Sequence, residues 1–256
     1  MEEAHLLYHI DKHICSITIN REKQRNAITP EAIQLFHSYL DDAENNSDVR
    51  VLLVSGAGDR AFCTGAQLGN TISGEGGTIF SEYARLLHRI YTFPKPTVAK
   101  VKGYCLAGGM GFMLACDIVI AGETSQFGTP EVNVGLWPMM IGALIFRNVP
   151  RKKAMEMILL GERISAARAL EIGLVTRVLP DDTVDSETEA LCAKLALKSP
   201  VGIRIGKTAF NAVESMSIDD ALMFLSGKLA EVASTEDARE GITAFMEKRE
   251  PLFKGK

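Results

Sequence analysis

The feature that most constrains this chain is the order of strand, helix and strand along its N-terminal half. A short apolar run ends in glycine and other small residues, and a helical stretch lies between it and the next strand. Val51-Leu52-Leu53-Val54 runs into Ser55-Gly56-Ala57-Gly58, and residues 97–101, before Gly103, and 117–121 read as further strands. The continuous apolar run Val51-Leu52-Leu53-Val54 suits a strand covered on both faces. A helix is expected over residues 80–91, ending before Phe93-Pro94-Lys95-Pro96, because proline disfavours helix in the residue before it. Strand, helix and strand in this order predict an α/β fold. Before them, residues 5–10 and 13–20 read as two strands around a turn at Asp11-Lys12. Residues 30–44 read as a helix. Thr29 is its cap, Pro30 its first residue, and Ile33, Phe36, Leu40 and Ala43 mark its apolar face.

From Pro150 onward helical periodicity dominates, over residues 151–160, 166–172, 183–198, 201–213, 218–232 and 235–248. Gly161, Gly173 and Pro200 punctuate these segments. The expected organisation is a mixed core over residues 1–195, followed by a helical region over residues 196–256 that serves assembly or covers a ligand. A chain of 256 residues is long enough to bury a large core.

Composition excludes several functions. The formal net charge is −4, without the clustered basic excess of a nucleic-acid binder. Arg151-Lys152-Lys153 and Lys248-Arg249 read as solvated helix ends. The five cysteines, Cys15, Cys63, Cys105, Cys116 and Cys192, are odd in number and form no CxxC, which points to free thiols in a reducing compartment. No secretory leader and no membrane-spanning run is expected, and a cytoplasmic location is the simplest reading. His5, His9 and His13 are spaced by four. On a helix that would suggest a metal site, but on a hairpin the three separate, so no metal is expected.

Chemistry concentrates in three segments. In Ala61-Phe62-Cys63-Thr64-Gly65-Ala66-Gln67-Leu68-Gly69 a strand ends in small residues that would let a ligand approach the backbone. Gly103-Tyr104-Cys105-Leu106-Ala107-Gly108-Gly109-Met110-Gly111 leads from a strand into an apolar helix, whose first N–H groups and positive dipole end suit a developing negative charge. It matches neither a dinucleotide-binding fingerprint nor a Walker loop. In Gln126-Phe127-Gly128-Thr129-Pro130-Glu131 a single carboxylate precedes an apolar stretch reaching Met139, Met140 and Ile141. Such surroundings raise a carboxyl pKa and suit it to acid–base work near neutrality. Each segment also has a plain reading: a turn, close helix packing through glycines, and a favourable helix-start glutamate.

In combination and in this order, the segments closely resemble the enoyl-CoA hydratase/isomerase, or crotonase, family. The resemblance also takes in Asn20-Arg21 and Asn26-Ala27-Ile28, Val49-Arg50-Val51, Lys95-Pro96, Cys116-Asp117, and Glu240-Gly241-Ile242-Thr243-Ala244-Phe245 with Glu247-Lys248-Arg249. It spans nearly the whole chain. It implies a spiral of ββα turns with a helical C-terminal region, assembly as a homotrimer or homohexamer, and acyl-CoA substrates. Two backbone N–H groups would hold the thioester oxygen as it becomes an enolate, here those of Ala66 and Gly108. No cofactor beyond the coenzyme A of the substrate is implied. The pantetheine would pass Thr64, Ala66, Gln67 and Leu68, and Arg25 would meet a CoA phosphate. Phe245 and Lys248 would approach the adenine end of a neighbouring subunit's ligand.

Two departures stand out. Gln67 replaces the usual acidic residue of the first loop, and Gly111 stands where two-glutamate hydratases carry their first catalytic glutamate. Glu131 alone matches. One carboxylate serves double-bond isomerisation more naturally than hydration, which tilts the expectation slightly toward an isomerase. Hydration of an enoyl-CoA or cyclic dienoyl-CoA, and silent acyl-CoA binding, are the alternatives. Peptide hydrolysis would need a serine and a histidine on the central helix, and residues 108–116 contain neither. Leu136, Trp137, Met139 and Met140 are expected to line an adaptable acyl pocket. Tyr83 and His88 could reach it, without being needed for the chemistry.

Overall fold

The structure, a computed structural model, describes residues 4–66 and 76–256. Strands β1 (Leu6–Asp11) and β2 (Ile14–Ile19) form the expected antiparallel hairpin, with Leu6 opposite Ile19 and Asp11 opposite Ile14. Lys12 and His13 turn the chain with φ of 48° and 68°. The three histidines separate: His5 Nδ1 lies 3.0 Å from Thr29 Oγ1, His13 Nδ1 lies 2.8 Å from the Asp48 carbonyl, and His9 faces Ser16 across the hairpin. Helix α1 (Pro30–Asn45) starts where its sequence says it should. Thr29 Oγ1 accepts the Ala32 N–H at 3.1 Å, and Ile33, Phe36, Leu40 and Ala43 are all buried. A cap of this kind contributes about 1 kcal/mol.

Two sheets are then built in alternation. β3 (Val51–Gly56) joins the first sheet and β4 (Ala61–Cys63) begins the second, followed by α2 (Gly76–Tyr91). β5 (Thr97–Val101), β6 (Tyr104–Leu106) and α3 (Gly108–Leu114) repeat the order. β7 (Ile118–Gly122) and β8 (Gln126–Gly128) repeat it again before a 3₁₀ turn, Pro130–Val134, and α4 (Met139–Asn148). Each turn of the chain thus adds one strand to each sheet and one helical segment outside. The remaining elements are α5 (Arg151–Leu160), β9 (Ile164–Ser165), α6 (Ala166–Glu171), β10 (Arg177–Leu179), α7 (Val184–Ala196), α8 (Pro200–Val213), α9 (Ile218–Ala233) and α10 (Glu236–Glu247). The large sheet runs β1-β2-β3-β5-β7-β10 and the small one β4-β6-β8-β9. Both are parallel except at one edge, where β1 and β9 run antiparallel to β2 and β8.

The wholly apolar strand runs are explained by this layering. Val51, Leu52, Val54, Val98 and Ala99 are fully buried because helices or the second sheet cover both faces. The α1, α2 and α3 helices share a core in which Phe36 stacks on Phe112 at 5.5 Å and Tyr83 meets Phe112 edge-on at 5.6 Å.

Polar clamps hold the layers in register. Lys95 Nζ donates to the Ala43 and Asn46 carbonyls at 2.6 and 2.8 Å, closing the end of α1. Asp117 accepts from the Thr97 N–H at 2.7 Å and from Lys207 of α8 at 2.5 Å. Arg50 donates to the carbonyls of Ala196 and Phe253, which ties the C-terminal helices to the sheet. Three motif positions of the sequence therefore have structural duties. No helix among the described residues is long and apolar enough to cross a membrane.

Candidate active site

The first loop is held from the N-terminal side. Asn26 is fully buried, with φ of 56°, a backbone setting that asparagine tolerates better than most residues. Its Nδ2 donates to the Ala61 carbonyl at 2.6 Å and the Ala57 carbonyl at 3.0 Å, while its Oδ1 accepts the Arg21 N–H at 2.9 Å. The Ile28 N–H donates to the Gly65 carbonyl at 2.9 Å, and Thr64 Oγ1 to the Arg25 carbonyl at 3.2 Å. The Asn26-Ala27-Ile28 motif thus fixes where β4 ends and where Gly65-Ala66 lies. Arg25 is exposed on the rim of this loop, with φ of 53°. Gln67 and Leu68 lie outside the described residues, so Gln67's effect on loop order lies there as well.

The second loop lies directly against the first. Gly65 has φ of +101°, and a Cβ there would stand 3.0 Å from Ala107 Cβ and 3.4 Å from the Gly108 nitrogen. Only glycine allows this approach and this backbone angle together. Ala107, the cap of α3, adopts φ 49° and ψ −136°, a strained setting for alanine. It is held there by its own N–H, which donates to the Gly128 carbonyl at 2.9 Å. Gly109 packs against the end of β4, where a Cβ would overlap the Cys63 carbonyl oxygen. Among the described residues, neither the Ala66 N–H nor the Gly108 N–H meets an acceptor. The two loops therefore bring two unpaired donors into one neighbourhood.

The third segment supplies the carboxylate. Glu131 is the second residue of the 3₁₀ turn Pro130–Val134, three residues after β8 ends at Gly128. Asn133 Nδ2 donates to the Gly161 carbonyl at 3.1 Å and pins the turn to the end of α5. The Leu136 N–H donates to the Glu131 carbonyl at 3.0 Å. Glu131 Oε2 is buried and has no hydrogen-bond partner. Burial pushes its pKa above the ordinary 4.5, and a bond to its own backbone N–H offsets only part of this. A buried carboxylate oxygen without a partner costs free energy that an ordinary helix-start glutamate would not incur.

Tyr83 completes the neighbourhood. It projects from α2, is almost fully buried, and donates its hydroxyl to the Gly108 carbonyl. A Cβ at Gly111 would overlap this hydroxyl oxygen and stand 2.9 Å from Ile141 Cγ2 and Leu87 Cδ1. His88, one turn further along α2, is exposed. The apolar stretch after Glu131 is partly a surface: Leu136, Trp137 and Met139 are exposed, while Met140 packs on the core. A groove of about 390 Å³ lies elsewhere, between α8 and α10, lined in part by Val232, Ile242 and Phe245.

A spiral of two sheets that sets a desolvated carboxylate beside two facing donor loops defines a class: α/β proteins of the crotonase fold. The enoyl-CoA hydratase/isomerase family model matches residues 9–256, and the chain belongs to that family. It is 32% identical to the 2,3-dehydroadipyl-CoA hydratase of Escherichia coli, over 99% of this chain and 100% of that protein. It is 34% identical to the mitochondrial enoyl-CoA hydratase domain-containing protein 3 of Xenopus laevis, over 93% of this chain and 82% of that protein. The crystal structure of an enoyl-CoA hydratase from Bacillus anthracis superposes with a TM-score of 0.95 at 28% identity, covering 99% of this chain and 100% of that one.

Proposed function

We propose that this chain moves the double bond of an enoyl-CoA thioester, with Glu131 as the single acid–base group and the N–H groups of Ala66 and Gly108 as the oxyanion donors. One observation carries this reading: the buried, unpartnered Oε2 of Glu131, a group whose desolvation is explained by proton transfer rather than by packing. In the reaction Glu131 removes a proton from C2 of a 3-enoyl thioester. The electron pair moves into the C1–C2 bond and the carbonyl oxygen becomes the dienolate oxygen. When the dienolate collapses, C2 and C3 become doubly bonded and C4 takes the proton back from Glu131. The catalyst ends as it began. In comparable sites each preorganised donor lowers the barrier by roughly 2.7–4 kcal/mol.

Coenzyme A enters as part of the substrate. Thr64, Gln67 and Leu68 would lie along its pantetheine, Arg25 would meet a phosphate, and Trp137 and Met140 would touch the acyl end. Exposed Leu222, Met223, Ile242, Phe245 and Met246 on α9 and α10 support packing against further copies, as a homotrimer or homohexamer. In such an assembly Phe245 and Lys248 would approach a neighbour's adenine. Five free cysteines favour a reducing compartment, which we take to be the cytoplasm.

Hydration is the second reading, favoured by the hydratase names of the relatives. Glu131 would then activate a water and also govern proton delivery to C2. The deciding measurement gives the protein 2-enoyl-CoA and 3-enoyl-CoA separately and follows the products by mass. A shifted double bond at unchanged mass supports the isomerase. Gain of one water by the 2-enoyl substrate makes it a hydratase. Binding without either reaction identifies an acyl-CoA binder.

A further inference from the structure

We propose that Tyr83 is a positioning residue that sets the Gly108 donor, and that Gly111 is glycine so that the Tyr83 phenol can stand there. This rests on the oxyanion role given to Gly108 above. The hydroxyl of Tyr83 donates to the carbonyl of Gly108, the same residue whose N–H has no acceptor. Anchoring that carbonyl fixes the peptide plane after Gly108, and this limits the φ and ψ of Gly108 that set the direction of its N–H. Glycine is the residue least able to hold such a direction by itself. The preceding Ala107 is strained, so the loop has a less strained setting into which it would relax if released.

The phenol is held in place from several sides. Its ring meets Phe112 edge-on at 5.6 Å with planes at 81°, and Phe112 in turn stacks on Phe36 of α1. A Cβ at Gly108 would lie 3.5 Å from the Tyr83 oxygen, in ordinary contact, whereas one at Gly111 would overlap it. The hydroxyl therefore occupies the position from which any side chain at 111 would start. A carboxylate on the central helix and this phenol exclude each other, and the sequence departure at Gly111 is the counterpart of Tyr83 rather than a bare loss. Burial first, then the nearby Cys63, Cys105 and Glu131, push the phenol's pKa well above 10.0. The hydroxyl stays protonated and serves as a fixed donor, not as a proton carrier.

The test uses Tyr83→Phe, which keeps the ring packing and deletes the hydroxyl. Infrared difference spectra of bound hexanoyl-CoA labelled with ¹³C at C1 report how strongly the site polarises the thioester carbonyl. Turnover of 3-hexenoyl-CoA gives kcat and KM. The expected result is a smaller carbonyl shift and a kcat lowered by about 10- to 100-fold, the scale of a misplaced catalytic group, with KM changed less than threefold. A second comparison places Gly111→Ala in the native chain and in the Tyr83→Phe and Tyr83→Ala backgrounds. The alanine should lower the unfolding temperature most in the native chain and less in both variants, which lack the hydroxyl but keep Ile141 and Leu87 close to position 111. An unchanged carbonyl shift and unchanged kcat in Tyr83→Phe overturn the proposal. Glu131→Gln separates the two readings. If that variant still turns over, the assignment of Glu131 fails. If it is dead while Tyr83→Phe is unaltered, only the role of Tyr83 fails.

Discussion

Replacing Asn26 by aspartate changes one NH₂ group to oxygen and nothing else in shape. The acceptor bond from the Arg21 N–H can persist, and aspartate tolerates the local φ of 56°. What is lost is the pair of donations to the Ala61 and Ala57 carbonyls. The new oxygen also faces those two carbonyls in a site with no exposure to water. Leaving a buried acceptor unsatisfied costs about 1–3 kcal/mol, so two such losses come to about 2–6 kcal/mol. That is a large part of the 5–15 kcal/mol typical of a folded domain. For a chain of this size it corresponds to a fall in unfolding temperature of about 4–24 °C. The assay is urea unfolding followed by far-UV circular dichroism, at one fixed protein concentration so that assembly does not contribute. The same variant should lose turnover, because Ala61 begins the strand that delivers Gly65 and Ala66. A stability loss below about 1 kcal/mol would refute the view that Asn26 organises the first loop.

Glu131→Gln should abolish turnover yet stabilise the protein at neutral pH. The folded-state pKa of Glu131 is raised above 4.5, so the folded chain binds this proton more tightly than the unfolded chain, and ionising it weakens the fold. The variant's gain should be full above the raised value and vanish as pH falls to the ordinary 4.5. Paired pH–stability curves check this, and the native chain's kcat/KM should fall on the acid side at a pH above the ordinary 4.5. Gly109→Ala drives a methyl into the Cys63 carbonyl, with its carbon only 2.6 Å away. It should part α3 from β4, cost several kcal/mol in denaturant unfolding, and abolish turnover, whereas Gly142→Ala, where a Cβ meets nothing within 4 Å, should do neither.

The legible parts of the fold were those whose causes are local. The Thr29-Pro30 start of α1 and its four-residue apolar stripe settle that helix without any neighbour. The Pro200 and Gly161 boundaries did the same for α8 and α5. β9 and β10, of two and three residues, carry no periodicity of their own and exist only because β8 and β7 offer them an edge. Residues 139–148 announce no helix in one dimension, yet they form α4, whose buried side packs on α3 while Met139 faces outward. At the site, Gly65, Gly108 and Glu131 stood out because glycines before a helix and a carboxylate amid apolar residues are unusual in one dimension. Tyr83 did not. Its meeting with Gly108 and Gly111 spans more than 20 residues of chain, and nothing in its own surroundings announces it.

Gly65 has an implication for how this protein can vary over time. The proposed oxygen-holding groups are main-chain N–H groups, which every residue except proline possesses. Selection therefore cannot read the donors directly. It can read only the neighbours whose bulk or backbone angle would move them. In a library of all single substitutions, Ala66 should accept many replacements, while Gly65, with φ of +101° and Ala107 against it, should accept almost none. The inherited record of such a site lies beside the atoms that act, and the proposed acid–base side chain, Glu131, is free to be exchanged for other chemistry without rebuilding the cradle.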